Sequence, residues 1–355
     1  MGRSSTGSLF AGSGLPHRRR MPAGFGPAGP ESVVDTPVRG RAPHQDWQRI
    51  SRGIWSPPAA DPDVRDELHG WSLALPPASA FSHLTAAQLY GWWLPSSPPH
   101  PVFVAMRRCD PRPRRPGLLV CRHPKSFAFT LQDGLRVTTP AETILAAARD
   151  LGVLDLVVLG DSALRSGHVT RIELEICASR RRRGAPLLRE VIPQLDRRSE
   201  SPWESIMRVL QRAADIPVEP QHLVHDADGR FIARADFWVV GTRRLHEYDG
   251  GVHREPDVQD ADLRRDRLLL RSDWQRYGYT SRHLLNEAAA FIRESDETLG
   301  RQWDAARLAA WESLLNASML RRPGRSRALA HWRRAQQAQE SGQPEPRNQP
   351  KTAPE

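Results

Sequence analysis

Two acidic residues two positions apart, Glu247 and Asp249, stand in the segment HEYDGG (246–251). A third acid, Asp236, lies eleven positions before Glu247, and the turn sequence Gly241-Thr242 separates them. Carboxylates crowded on one face repel one another unless a cation binds or one of them is protonated. Oxygen ligands suit Mg²⁺ or Mn²⁺, and such an ion activates water for attack on a phosphodiester. Asp236 and Glu247 are therefore candidate metal ligands.

The turn between these acids predicts two antiparallel strands that would position them. RFIARADFWVV (230–240) carries Asp236 in a strand pattern, and RRLHEYDGG (243–251) carries the other two acids. Gly241-Thr242 is short enough to join the strands as a hairpin. Because strand side chains alternate between faces, we expect Asp249 on the same face as Glu247, with Asp236 close by.

The flanking sequence predicts a mixed α/β unit around this hairpin. A helix begins at Ser201-Pro202, and Glu204 stands three residues after the capping serine. A strand, PQHLVHD (220–226), precedes the hairpin. A helix (260–274), a strand, QRYGYTS (275–281), and a helix from His283 follow it. The order helix, three strands, helix, strand, helix is typical of a sheet flanked by helices.

Two candidate residues have a second explanation. Glu204 is as well explained by a capping box as by membership of the acid site. His253, just after the glycine pair, is either a polar surface histidine or a catalytic one. Both alternatives stay open from the sequence.

A family resemblance appears at these residues. In order and spacing, the chain resembles the domain of unknown function related to very-short-patch-repair endonucleases, a member of the PD-(D/E)XK nuclease superfamily. The resemblance covers about residues 199–290 and is carried by SPWESIMRVL, ADFWVV, HEYDGGVHR and DLRRDRLLL. It implies a metal-dependent nuclease site in which Asp236 and Glu247 bind the metal. It also implies supporting roles for the remaining matched positions, which are Glu204, Asp249, His253, Asp262 and Arg265.

The chain departs from that pattern at two places. The lysine of the usual E-x-K is replaced by Asp249, so His253 would have to orient the attacking water. In the last strand, Gly278 precedes Tyr279 where relatives often carry an arginine before an aromatic residue. Both departures also fit a domain that keeps the fold without the chemistry.

The first half of the chain resembles the AbiEi-type antitoxin-like region of actinobacterial proteins. The segments that carry this resemblance are SHLTAAQLYGW (82–92), TPAETILAAARD (139–150) and LGDSALRSGHVT (159–170). It implies a module that acts on DNA or contacts a protein partner such as a toxin.

The predicted fold class is α/β: a restriction-endonuclease-like mixed sheet flanked by helices, preceded by a smaller, mostly helical α+β domain. The predicted divisions are a disordered tail (1–45), an antitoxin-like domain (46–195), a nuclease-like domain (196–290), C-terminal helices (291–334) and a disordered tail (335–355). The three cysteines form no C-x-x-C pair, and no apolar run has the length of a membrane span. These features indicate a cytoplasmic protein without a membrane segment.

The net charge of +10 makes DNA a candidate partner. All but two of the 51 basic residues are arginine, which is also typical of a GC-rich genome. The run Arg180, Arg181, Arg182 and Arg183 is either a solvated helix end or a patch that contacts phosphates.

Two functions remain open at this stage. The acids favour a Mg²⁺- or Mn²⁺-dependent DNA endonuclease acting in DNA repair or defence. The missing lysine and the antitoxin-like first half favour a catalytically inactive DNA-binding regulator or a component of a toxin-antitoxin system.

Overall fold

The structure is a computed structural model that describes residues 10–11, 36–58, 63–95, 100–123, 126–250 and 256–341, with the side chains of 10–11 and 256–263 left aside. It divides into two compact units. The first unit comprises residues 11–92, 97–146 and 329–355, and the second comprises residues 1–10, 93–96 and 147–328. Helices and mixed sheets occur in both units, which confirms the predicted α/β class.

The first half of the chain contains ten short strands and three helices among the described residues. In chain order they are β1 (Phe10–Ala11), β2 (Val38–Arg39), β3 (Gln48–Ser51), β4 (Ile54–Ser56), α1 (Val64–Leu73), β5 (Ala80–Phe81), α2 (His83–Leu89), β6 (Leu94–Pro95), β7 (Val102–Arg107), β8 (Leu118–His123), β9 (Phe129–Gln132), β10 (Leu135–Thr138) and α3 (Pro140–Ala147). Five of these strands form the main sheet of the first unit, in the order β8-β7-β5-β10-β9.

The rest of the described chain is richer in helix. Its elements are α4 (Val153–Arg165), α5 (Arg171–Ala178), α6 (Ala185–Val191), a 3₁₀ turn (Ile192–Gln194), α7 (Pro202–Ala213), β11 (Val218–His225), β12 (Phe231–Val239), β13 (Arg244–Tyr248), α8 (Pro256–Arg271), β14 (Gln275–Tyr279), α9 (Ser281–Asn286), α10 (Ala288–Thr298), α11 (Ala305–Ala317) and α12 (Arg322–Ser341).

The end of α12 corrects the predicted C-terminal tail, because residues 335–341 are helical. From residue 329 onward this helix belongs to the first unit, where Trp332 packs edge-on against Phe103 with ring centroids 5.5 Å apart. Gln339 is buried and bonds to the edge strand β8: its Oε1 accepts from Val120 N (3.0 Å), and its Nε2 donates to Leu118 O (3.2 Å). The side-chain amide thus pairs with the strand backbone as a neighbouring strand would.

Residues 147–195 lie in the second unit. The predicted boundary at residue 195, which assigns them to the first domain, is therefore wrong. A buried carboxylate on α4 explains this. Asp161 accepts hydrogen bonds from Ser205 Oγ (2.6 Å) and Asp196 N (2.7 Å), and it forms an ion pair with Arg208 of α7. A buried charge needs such partners, so α4 and α7 must remain packed together.

The second unit contains the four-stranded sheet β11-β12-β13-β14. The first two pairings are antiparallel and the third is parallel. Parallel neighbours need a crossover, which α8 supplies. The element order helix, three strands, helix, strand, helix is the predicted one.

Candidate active site

One row of side chains crosses the sheet of the second unit where β12 and β13 begin to separate. Phe237 pairs with His246 and Trp238 with Leu245, so the next position in that register sets Asp236 opposite Glu247. The predicted arrangement of adjacent antiparallel strands is therefore confirmed. The same two strands thereby position both candidate metal ligands.

The Asp236 carboxylate, and not a backbone carbonyl of β12, accepts a hydrogen bond from the backbone of β13. Its Oδ2 accepts from the backbone N–H of Tyr248 at 2.8 Å. The pKa of Asp236 is raised to about 6, first by burial and then by the negative charges of Glu204 and Glu200, while the hydrogen bond from the Tyr248 N–H lowers it. A carboxylate with this pKa gains from a nearby cation.

At Glu204 only the serine half of the predicted capping box forms, and membership of the acid site stays a prediction. Ser201 Oγ accepts from Glu204 N at 3.1 Å, so the serine caps α7 as predicted. The Glu204 carboxylate, however, accepts from Glu200 N (2.8 Å) and from Gln221 Nε2 (3.0 Å). Burial raises its pKa. Glu204 is thus a buried acid at the helix start whose charge also acts on Asp236.

Gln221 belongs to the same row and was not identified from the sequence. Its neighbours Pro220 and His222 pair with Phe237 and Ala235, which sets Gln221 beside Asp236. Its φ of +57° lies in the left-handed region, which non-glycine residues adopt rarely and at a cost. The Gln221 amide donates to the Glu204 carboxylate, so this residue lies next to both Glu204 and Asp236.

Only one of the two carboxylate oxygens of Glu247 has partners among the described residues. Its Oε2 lies 3.3 Å from Arg265 Nη2 and 3.3 Å from Arg276 Nε. Its Oε1 is buried and accepts no hydrogen bond from the described residues. Burial raises the pKa of Glu247, the two guanidinium groups lower it, and the charge of Asp236 raises it. A buried carboxylate oxygen without a donor is a suitable ligand atom for a hard cation.

Arg276 places a guanidinium group beside Glu247, on the strand next to it. β14 runs parallel to β13, pairing Leu245 with Arg276 and Glu247 with Gly278. Arg276 precedes the aromatic residue Tyr277, two positions before the Gly278-Tyr279 pair considered above. The signal was present in the sequence, but only the parallel register connects it to Glu247.

The other predicted residues stand as follows. Asp249 is half-buried, its backbone N–H donates to Tyr279 O (2.7 Å), and a Cβ at Gly278 would lie 3.9 Å from its Oδ2. Arg265 reaches Glu247, as given above. Asp262 lies in α8, in the stretch whose side chains are not described, and His253 lies outside the described residues.

His246, the first residue of HEYDGG, is a structural residue of the sheet. It is fully buried, and burial lowers its pKa to about 3, so the ring is neutral. Its Nδ1 contacts the Gln211 amide (3.1 Å), and its Nε2 accepts from Arg244 Nε (3.0 Å). Both ring nitrogens are engaged behind the acid row.

The acids of this row offer a small set of ligands for a Mg²⁺ ion. No three acidic, histidine or cysteine side chains of the described part converge into a ligand cluster. Mg²⁺ needs only one or two carboxylates, since waters and substrate phosphates complete its octahedron. Asp236, opposite Glu247 with its undonated Oε1, fits that smaller set.

The arginine run is a loop rather than a helix end. Residues 180–184 connect α5 and α6, with Arg180, Arg181 and Arg183 exposed and Arg182 half-buried. Its contact with DNA remains a prediction.

The site is thus a row of acids on a mixed sheet, backed by guanidinium groups.

Two uncharacterized proteins of Mycobacterium tuberculosis, MT2308 and Rv2248, are each 30% identical to this chain over 206 residues, which is 57% of this chain and 73% of the relative. The chain belongs to the same family as these proteins. No family model matches the chain. No solved structure matches it either. Among the described helices, none is long and apolar enough to cross a membrane.

Proposed function

We propose that this protein is a Mg²⁺-dependent DNA endonuclease that hydrolyses phosphodiester bonds, acting in the cytoplasm in DNA repair or defence. The observation that carries the proposal is the position of Asp236 opposite Glu247, whose buried Oε1 accepts no hydrogen bond from the described residues. Two carboxylates of this kind, both with raised pKa values, are arranged for a divalent cation.

The connectivity of the second unit supports the same proposal. The acids lie on the second and third strands of a helix, three-strand, helix, strand arrangement. The resemblance to the PD-(D/E)XK nucleases implies ligands at these positions. Fold alone does not define function, so the weight rests on the site.

The chain's own residues have separable tasks in this mechanism. Asp236 and Glu247 would hold the ion, which when bound supplies an activated water and stabilises charge on the phosphate. Asp236 would hold the ion in its deprotonated form, since metal ligands bind deprotonated. Arg276 and Arg265 hold Glu247 in place, and Arg276 can orient a phosphate oxygen as the absent lysine would.

A nicking assay tests the proposal. Supercoiled plasmid is incubated with the wild type, with Asp236→Asn, and with Asp228→Asn, each with Mg²⁺, Mn²⁺ or EDTA. Asp228 is an exposed acid in the turn before β12, so it controls for loss of one negative charge. The wild type and Asp228→Asn should nick in metal and not in EDTA, whereas Asp236→Asn should leave the plasmid supercoiled.

One observation favours a second function. Two guanidinium groups already neutralise Glu247, so the acid row can persist without a metal. The protein would then be a catalytically inactive DNA-binding regulator, with a toxin or another protein as its partner. In that case the wild type would bind DNA, and its plasmid would stay supercoiled in every metal.

A further inference from the structure

The second unit contains a cavity of about 500 Å³ that none of the residues of the acid row lines. Its walls come from the end of α4, the start of α5 and the segment after the 3₁₀ turn. Four guanidinium groups and one carboxylate are its charged lining residues, namely Arg165, Arg171, Arg197, Arg198 and Asp196. This excess of positive charge selects for an anionic ligand.

Two of the arginines are already balanced by acids. Arg198 Nη2 lies 2.8 Å from Asp196 Oδ2, and Arg165 Nη2 lies 3.3 Å from Glu200 Oε1. The other two, Arg171 and Arg197, form no ion pair with any carboxylate among the described residues. Their charge is therefore available for a ligand.

Arg171 is held ready for such a ligand. Its Nη1 donates to Ile192 O (2.6 Å) and its Nη2 to Leu195 O (2.7 Å). Carbonyl oxygens fix the guanidinium without cancelling its charge, so little side-chain entropy is lost when an anion binds. Arg197 is exposed at the same cavity and has no described hydrogen-bond partner within the chain.

Glu200 connects the cavity to the acid row. One carboxylate oxygen contacts Arg165, the other contacts Arg234 Nη2 at 2.7 Å, and the Glu200 backbone N–H donates to Glu204. The charge of Glu200 also acts on Asp236. Glu200 thus contacts Arg165, which lines the cavity, and Glu204, whose charge acts on Asp236.

We propose that this cavity, through Arg171 and Arg197, binds backbone phosphates of the DNA strand whose scissile bond reaches Asp236 and Glu247. The proposal rests on the proposed nuclease function for the identity of its ligand. Phosphate contacts of this kind position a strand without reading its sequence. Guanidinium groups form two parallel hydrogen bonds to phosphate, which suits the arginines to this task.

The test measures binding of a short fluorescein-labelled DNA duplex by fluorescence anisotropy in EDTA, where cleavage cannot occur. Arg197→Gln and Arg197→Glu are the lead variants because the Arg197 side chain makes no described hydrogen bond or ion pair, and Arg171→Gln is the second. Arg293→Gln is the charge-matched control, since Arg293 stacks over Trp303 on other elements of the unit.

Arg197→Gln should raise Kd roughly tenfold near 0.1 M salt and reduce the log–log salt slope by about 0.9, as expected for one lost phosphate contact. Arg197→Glu should weaken binding further, and Arg293→Gln should bind as the wild type does. Arg197 variants that melt normally and bind DNA with wild-type affinity and salt slope would overturn the proposal. So would inorganic phosphate that raises the Tm of the wild type but not of Arg197→Gln and yet leaves DNA binding unchanged at constant ionic strength, because the cavity would then be a small-anion site only.

The outcome is independent of catalysis. Arginine-dependent binding together with a wild type that never nicks would support the cavity and contradict the nuclease function. Nicking by the wild type with no loss of binding in the Arg197 and Arg171 variants would do the reverse.

Discussion

The carboxylate of Asp236 accepts the backbone N–H of Tyr248, with 2.8 Å between Oδ2 and N. This bond forms where β12 and β13 separate, one residue beyond the pairing of Phe237 with His246. An acid that completes the hydrogen bonding of its own sheet is fixed in position, while its charge stays close to Glu204 and Glu247. A cation bound here would relieve the repulsion between these fixed charges.

The first prediction concerns stability and pH. Because the pKa of Asp236 is raised from 3.8 to about 6, the folded state favours its protonated form. Its contribution to stability is present below the unfolded pKa and is lost as pH rises through about 6. Asp236→Asn keeps an oxygen for Tyr248, so at pH 8 it should be more stable than the metal-free wild type by up to about 3 kcal/mol.

Urea unfolding of both proteins from pH 4 to pH 8 measures this difference. The two curves should approach each other near pH 4, where Asp236 is protonated in the folded state and partly protonated in the unfolded state. A variant less stable than the wild type at pH 8, or a difference that does not change with pH, would contradict the origin assigned to the pKa shift.

The second prediction concerns metal binding and needs no DNA. Mg²⁺ or Mn²⁺ should raise the Tm of the wild type, because a ligand at 100 times its Kd adds about 2.7 kcal/mol of stability. Asp236→Asn and Glu247→Gln should lose that shift, whereas Asp228→Asn should retain it. An equal shift in all four proteins would mean that the ion binds elsewhere.

The third prediction concerns Arg276. Arg276→Gln leaves Glu247 with Arg265, so metal-induced stabilisation should persist while the nicking rate falls roughly a hundredfold, as when one transition-state donor is lost. Arg276→Lys should restore part of the rate, since lysine is the residue that E-x-K supplies elsewhere. A variant that loses the metal-induced Tm shift instead would assign Arg276 to holding Glu247 alone.

The fourth prediction concerns the C-terminal helix. Gln339→Ala removes bonds to the backbone of β8 and leaves Val120 N without its acceptor, which should cost about 1–3 kcal/mol. Truncation after residue 334 should destabilise the first unit more, whereas truncation after residue 341 should leave its melting unchanged. Equal Tm values for the two truncated proteins would mean that residues 335–341 do not stabilise the first unit and belong to the predicted tail.

The local parts of the site could be predicted from the sequence. The turn at Gly241-Thr242 and the strand pattern around it determine that Asp236 and Glu247 lie on neighbouring antiparallel strands. The serine before Pro202 likewise determines where α7 begins. Each of these signals lies within a few residues of the structure that it specifies.

The remaining features depend on contacts between distant segments. Arg276 reaches Glu247 only because the α8 crossover sets the parallel register of β14. Gln339 has a polar sequence context typical of disorder, yet its partner Val120 is 219 positions away. Asp161 would be read as a surface acid, although it is fully buried against α7. No local pattern specifies these pairs.

The nicking assay with Asp236→Asn tests the nuclease proposal most directly, provided that folding is followed in the same samples. The expected result is metal-dependent nicking by the wild type and by Asp228→Asn, and its loss in Asp236→Asn at an unchanged or higher Tm. Cleavage by Asp236→Asn at the wild-type rate would contradict the assignment of Asp236 as a metal ligand.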